Sequence, residues 1–405
     1  MGEARERVAA MVTPTVQELD QTQRAIEAHL AAVRSHPDQR PNAHPYYRFH
    51  PAGEPIHGTV MIFHGFSMRP HQMWRLANYL FDNGFNIYQL TLAGHDRLNP
   101  AKNWPQIDLK PEYAEPLMQK VQQDAVLRAA IVQKAQSGGV VIGQQRALLQ
   151  RLFMIAPEMQ DFASAIAQPN HPDFDRYFTS THRAFLADAQ QRLEELSALP
   201  GPIYAVGLSV GGATALGLAS SVPERIEKVV AYSPLLKIIG ENRRQFVQLT
   251  GPLDINETGW DPALQFPVGA LTAADYFGSE VRSKDSIKRL KSTPVFIALT
   301  ENEDAADIDA SEIFFADLAT SNAADSETAK TKEQPPRWLY KYPAPAMVPH
   351  AMVDPTEVSQ GMRNLFWQSL YQETLRFLKK GEVNINNLER LSQDEALPLV
   401  PPVTS

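Results

Sequence analysis

Apolar residues in this chain fall into two alternating kinds of run. The first kind is short and dense: GTVMIFHGF (58–66), NIYQLTLAGHD (86–96), IYAVGLS (203–209), KVVAYSPLL (228–236), PVFIALT (294–300) and RWLYKYP (337–343). Such runs, closed by glycine, proline or polar turns, predict strands buried on both faces. The second kind spaces its apolar positions three and four apart. HQMWRLANYLFDNGF (71–85), HRAFLADAQQRLEEL (182–196), GGATALGLASS (211–221), SEIFFADL (311–318) and EVSQGMRNLFWQSLYQETLRFLKK (357–380) therefore predict helices, the first with Gly84 as its C-cap. Strand, helix and strand in this rhythm read as βαβ units, hence a mostly parallel sheet with helices on its faces.

Other stretches break the rhythm. TVQELDQTQRAIEAHLAAVRS (15–35) predicts a helix with Leu19, Ile26, Leu30 and Val33 on one face, stopped by the prolines of PDQRPNAHPYY. Residues 105–170 are rich in Gln and Ala and helical in pattern, with a break at SGG (137–139). A second irregular stretch covers 250–280, a polar connection 320–336, and a mixed tail, expected to be partly disordered, starts at Asn384. The expected organisation is an N-terminal helical extension (1–45), a discontinuous core (46–100 and 181–380), an inserted helical cap (101–180) and a tail (381–405).

Composition narrows the possible functions. The 405 residues are 43% hydrophobic and 21% charged, as in a globular protein. Lys plus Arg is 38 and Asp plus Glu is 46, so the net charge is −8. That balance argues against a nucleic-acid partner and gives no reason to expect tight binding to anionic lipid. Cysteine is absent, which removes disulfides, thiolate metal sites and cysteine nucleophiles together. There is no H-E-x-x-H, no dinucleotide fingerprint and no P-loop, so no metal and no cofactor is expected. No apolar run is long enough to span a bilayer, and the N-terminus has no apolar leader. A soluble cytoplasmic protein without a stable membrane anchor is the expectation, with the oligomeric state left open.

One pentapeptide carries chemistry. Gly207-Leu208-Ser209-Val210-Gly211, followed by Gly212, matches G-x-S-x-G between a predicted strand and a predicted helix. A serine on such a turn is held in a strained backbone with its hydroxyl exposed above the sheet, and small neighbours let strand and helix close together. The following helix directs its N-terminus at the site and favours developing negative charge.

Through this motif and the earlier His64-Gly65-Phe66, the chain resembles the α/β-hydrolase family, and most of all its carboxylesterase and monoacylglycerol-lipase-like branch. The resemblance covers about residues 45–100 and 180–380. It implies a mostly parallel central sheet flanked by helices, with an inserted helical cap. It also implies the chain order nucleophile, acid, histidine. Of 11 histidines only His350 follows Ser209, and it lies after the last predicted strand, where the family places its base. The acid is expected just past PVFIALT, in ENEDAADIDAS. Asp304 fits the family spacing best, with Glu303 and Asp307 as alternatives. The backbone N–H groups of Phe66 and Val210 would form the oxyanion hole, with His64 shaping that loop or touching the substrate pocket. Ala93-Gly94-His95-Asp96 stands where relatives often carry Pro-Gly-His-Gly, and His95 is expected to be structural. Trp260, Phe266, Tyr276 and Phe277 are candidates to wall the pocket.

A serine at the elbow, where some relatives carry aspartate, implies an acyl intermediate. The expected activity is hydrolysis of a small-molecule carboxylic ester with an apolar acyl group. A thioesterase or acyltransferase of the same fold, and a non-catalytic ligand-binding protein, are the alternatives.

Overall fold

The structure is a computed structural model, and it describes residues 10–130, 144–253, 255–258, 264–320, 334–356, 359 and 361–393. Its centre is a seven-stranded sheet. The strands that build it are β1 (Tyr46–Arg48), β2 (Thr59–Phe63), β3 (Asn86–Leu90), β6 (Ile203–Leu208), β7 (Ile226–Tyr232), β10 (Val295–Thr300) and β11 (Arg337–Tyr342). Two short antiparallel pairs lie outside it: β4 (Ile107–Leu109) with β5 (Phe178–Ser180), and β8 (Asn256–Thr258) with β9 (Gln265–Pro267). The order across the central sheet is β1-β3-β2-β6-β7-β10-β11, parallel throughout except for the edge strand β1.

The dense apolar runs form the interior strands because both faces of the sheet are covered. Along β2, Met61 and Phe63 enter one apolar cluster, while Val60 and Ile62 enter the other. The first cluster also takes in the helices Ala184–Glu195, Val210–Ser221 and Val268–Val281; the second includes side chains of Trp74–Asp82 and Trp367–Lys380. The strand order reverses between β2 and β6: the chain runs outward from β2 to β3 on one side, and from β6 through β7 and β10 to β11 on the other. In open α/β sheets such a switch point leaves a crevice beyond the strand C-termini, where ligands bind.

The predicted strands and most helices match these elements. The N-terminal segment forms the helix Val16–Arg34, started by a capping box between Thr15 and Glu18. Three departures have local causes. The helix expected from 357 begins only at Trp367: Gly361 has φ +75°, Ser359 and Met362 exchange backbone hydrogen bonds, and the Asn364 side chain accepts from the Phe366 N–H. The stretch 250–280 is less irregular than its sequence, since residues 268–281 form a buried helix. Residues 101–180 are not purely helical, because β4 and β5 pair within them. The tail packs as far as Leu388, which is fully buried. The SGG break, most of the connection 320–336 and the tail beyond 393 lie outside the described residues. Among the described residues no helix is long and apolar enough to cross a membrane.

Candidate active site

Ser209 follows the last residue of β6 and precedes the helix Val210–Ser221, with φ +57° and ψ −120°. A non-glycine residue there costs about 1–3 kcal/mol and persists only if its surroundings hold it. They do. The Ser209 N–H donates to the Tyr232 carbonyl at 2.9 Å, and its carbonyl accepts from Ala213 (3.0 Å) and Leu235 (2.9 Å). The neighbouring glycines are sterically required. A Cβ on Gly207 would stand 2.1 Å from the Gly211 carbonyl oxygen, and one on Gly211 would stand 2.4 Å from those of Phe63 and His64.

The loops after β10 and β11 meet beside this turn. The Thr300 hydroxyl donates to the Val348 carbonyl at 2.6 Å, and Asn302 forms a parallel bridge with Pro349. This stitching sets His350 against Glu303: Nδ1 lies 2.7 Å from Oε2, with both side chains almost fully buried. The same oxygen accepts from the Ala306 N–H at 3.1 Å, which fixes the carboxylate. The contact expected of Asp304 is thus made by its neighbour. The Asp304 carboxylate also comes within 4.8 Å of a His350 ring nitrogen, but its Oδ2 accepts from Ser359 Oγ at 3.2 Å and its carbonyl accepts from Arg243. Asp307 is further removed, capping the helix Ile308–Thr320 through Ala310. Glu303, Asp304 and His350 do offer ligand atoms within 4.8 Å of one another, which makes them the one candidate cation cluster among the described residues.

Ser209 and His350 line one small crevice together with Gly65, Phe66, Met68, Gln72, Leu208 and Ala351. It opens at the strand-order switch, between the ends of β2 and β6. Residues 65–68 form a tight turn, with the Met68 N–H donating to the Gly65 carbonyl at 3.3 Å. The Phe66 and Val210 amides have no protein acceptor among the described residues. For Val210 this follows from its place in the first turn of a helix.

His64 is not a pocket residue. It is fully buried, its Nε2 accepts from the Leu92 N–H at 3.2 Å, and its Nδ1 lies 2.7 Å from the Gly65 carbonyl. The accepting Nε2 fixes the proton on Nδ1. Burial pushes its pKa down to about 3, against a partial rise from the Gly65 hydrogen bond. His95 is also buried, with Nδ1 3.1 Å from the Ala93 carbonyl and its ring stacked 3.7 Å from Trp104. Its burial likewise holds it well below the ordinary histidine value.

Of the expected pocket aromatics, Phe266 packs edge-on to Phe66 at 5.0 Å and stacks on Trp104 at 5.8 Å, so it stands behind the crevice wall. Tyr276 and Phe277 are instead core residues, packed on Phe174 and Phe185. They point inward because the helix Val268–Val281 is buried on nearly every face. Trp260 lies outside the described residues. Trp104 and Gln72 had no signal in the sequence. Gln72 follows the HGF turn by six residues and accepts the Gly65 N–H at 2.8 Å.

Residues 58–251 match the sequence profile of the alpha/beta hydrolase fold. No curated protein sequence matches the chain. Similar solved structures include a metagenome-derived lipolytic enzyme from the LipS and LipT study (14% identity, 84% of this chain and 98% of that one, TM-score 0.47). A soluble variant of monoglyceride lipase from Saccharomyces cerevisiae aligns at 14% identity over 86% of this chain and 99% of the other, with TM-score 0.46. A monoacylglycerol lipase from Paleococcus ferrophilus aligns at 13% identity over 84% and 99%, with TM-score 0.45.

Proposed function

We propose that this chain, whose fold is that of the α/β hydrolases, is a serine carboxylester hydrolase acting on a small-molecule ester with an apolar acyl group. The observation that carries the reading is the meeting of a serine held at φ +57° and a histidine bonded through Nδ1 to a buried carboxylate in one crevice.

The chemistry follows from which nitrogen holds the proton. With Nδ1–H donated to Glu303, His350 Nε2 carries the lone pair and serves as general base. It takes the Ser209 hydroxyl proton as Oγ bonds to the ester carbonyl carbon. The Phe66 and Val210 amides receive the oxyanion; one such donor is typically worth about 3–4 kcal/mol. Collapse of the tetrahedral intermediate breaks the bond to the alkoxy oxygen, which leaves as the alcohol with the proton from Nε2. Water then attacks the acyl-enzyme, giving up its proton to Nε2, and Ser209 recovers a proton as the carboxylic acid departs. Glu303 orients the ring and stabilises the imidazolium throughout.

The aromatic wall of Phe66, Trp104 and Phe266 supports an apolar acyl group. The test is turnover of a p-nitrophenyl ester series by the wild type and by Ser209→Ala. The reading expects hydrolysis by the wild type alone; equal rates would refute it.

A further inference from the structure

The turn that carries Phe66 is held from outside the region matching the hydrolase profile. Arg40 belongs to the segment between the N-terminal helix and β1. That segment runs along the turn after β3: Leu98 N–H donates to the Asp38 carbonyl (2.7 Å), Arg40 N–H to that of Asp96 (2.7 Å), and the Thr91 hydroxyl to that of Ala43 (2.6 Å). Anchored there, the Arg40 side chain passes into the interior with only 2% of its surface exposed. Its Nη2 donates to the Ser67 carbonyl at 2.9 Å, and its Nη1 to those of Met68 at 3.0 Å and His95 at 3.4 Å.

Burying a guanidinium is expensive, and an aliphatic side chain would fill the same space at lower cost. What the guanidinium adds is direction. Its planar fork accepts only a narrow set of carbonyl orientations. It therefore fixes two consecutive peptide planes, Ser67–Met68 and Met68–Arg69, in the turn that follows Phe66, where Ser67 has φ +61°. Gln72 fixes the entry of the same turn by accepting the Gly65 N–H.

We propose that Arg40 is a positioning residue for the oxyanion turn: it holds the Ser67 and Met68 carbonyls away from the crevice and so keeps the Phe66 amide available to the developing oxyanion. The proposal rests on the serine-hydrolase reading, and it makes the N-terminal extension part of the catalytic apparatus.

The test compares wild type, Arg40→Ala and Arg40→Lys. Reactive serines are first counted with a fluorophosphonate. Then kcat and KM for a p-nitrophenyl ester, and the inhibition constant of an alkyl boronic acid that forms a tetrahedral adduct, are measured. For Arg40→Ala, kcat per titrated serine is expected to fall roughly 10–100-fold, boronate affinity to fall in step, and KM to change less than about threefold. Added guanidinium ion restores part of the rate in Arg40→Ala and none in the wild type. If Arg40→Ala does not fold, Arg40→Lys decides, because it keeps the charge and loses the fork: a parallel loss of kcat and boronate affinity supports the proposal. A folded variant with wild-type kcat per titrated serine and wild-type boronate affinity overturns it. A wild type that neither labels nor hydrolyses any ester overturns the underlying reading as well, and does so before any substitution is made.

Discussion

His350 Nδ1 lies 2.7 Å from Glu303 Oε2, while the adjacent Asp304 carboxylate accepts from Ser359. Glu303 thus makes the short hydrogen bond to the ring while Asp304 stands beside it, and exchanging each acid for its amide should separate their roles. Glu303→Gln removes the charge that orients the imidazole and stabilises its protonated form, with an expected loss of about 10²–10⁴-fold in kcat. Asp304→Asn should lose less than about tenfold, since it acts on the loop and not directly through that bond. Steady-state rates per titrated serine check both. The reverse ranking would return the role to Asp304.

The glycines of the elbow make a stability prediction with an internal control. Gly211→Ala forces a Cβ to within 2.4 Å of two backbone oxygens, so about 3 kcal/mol or more should be lost, or no folded protein recovered. Gly53 has φ +87°, but a Cβ there meets nothing within 4 Å. Gly53→Ala should cost only about 1 kcal/mol, from backbone strain. Urea unfolding of the two variants measures the contrast.

His64 predicts a pH dependence whose sign can be worked out. Its pKa is about 3 in the fold, below the ordinary value of 6.5, because burial disfavours the charged ring. Between those values the unfolded chain binds a proton there that the native state refuses. Stability from this residue is therefore complete above pH 6.5 and is lost as the pH falls toward 3. From pH 7 to pH 5 the loss should be about 2 kcal/mol. Urea denaturation of wild type and His64→Gln at both pH values tests it: the variant is less stable at pH 7 but should show a smaller decline.

Phe266 connects packing to specificity. Its ring meets both Phe66 and Trp104 behind the crevice. Phe266→Ala should cost about 3–5 kcal/mol in stability. The space it leaves should shift the preferred p-nitrophenyl ester toward longer acyl chains. An unchanged chain-length profile would place the acyl group elsewhere.

What the sequence disclosed was local. The β2 and β6 runs and the GLSVGG turn could be read because burial on both faces and close strand–helix approach leave marks in adjacent residues. Glu303 could not be separated from Asp304, since one residue of loop rotation decides which carboxylate meets an imidazole 47 positions away. Arg40 and Gln72 were silent because a side chain serving a distant or neighbouring carbonyl or amide needs no motif around it. The late start of the helix at Trp367 was hidden in the same way: the apolar spacing continues back through 357, and only Gly361 and Asn364 interrupt it.

The most direct measurement is mass spectrometry of the chain after reaction with a fluorophosphonate. One covalent phosphonyl group on the peptide carrying Ser209, formed in the wild type and greatly slowed in His350→Ala, is the predicted result. Labelling at another residue, or labelling of Ser209 that proceeds equally fast without the His350 imidazole, would contradict the account.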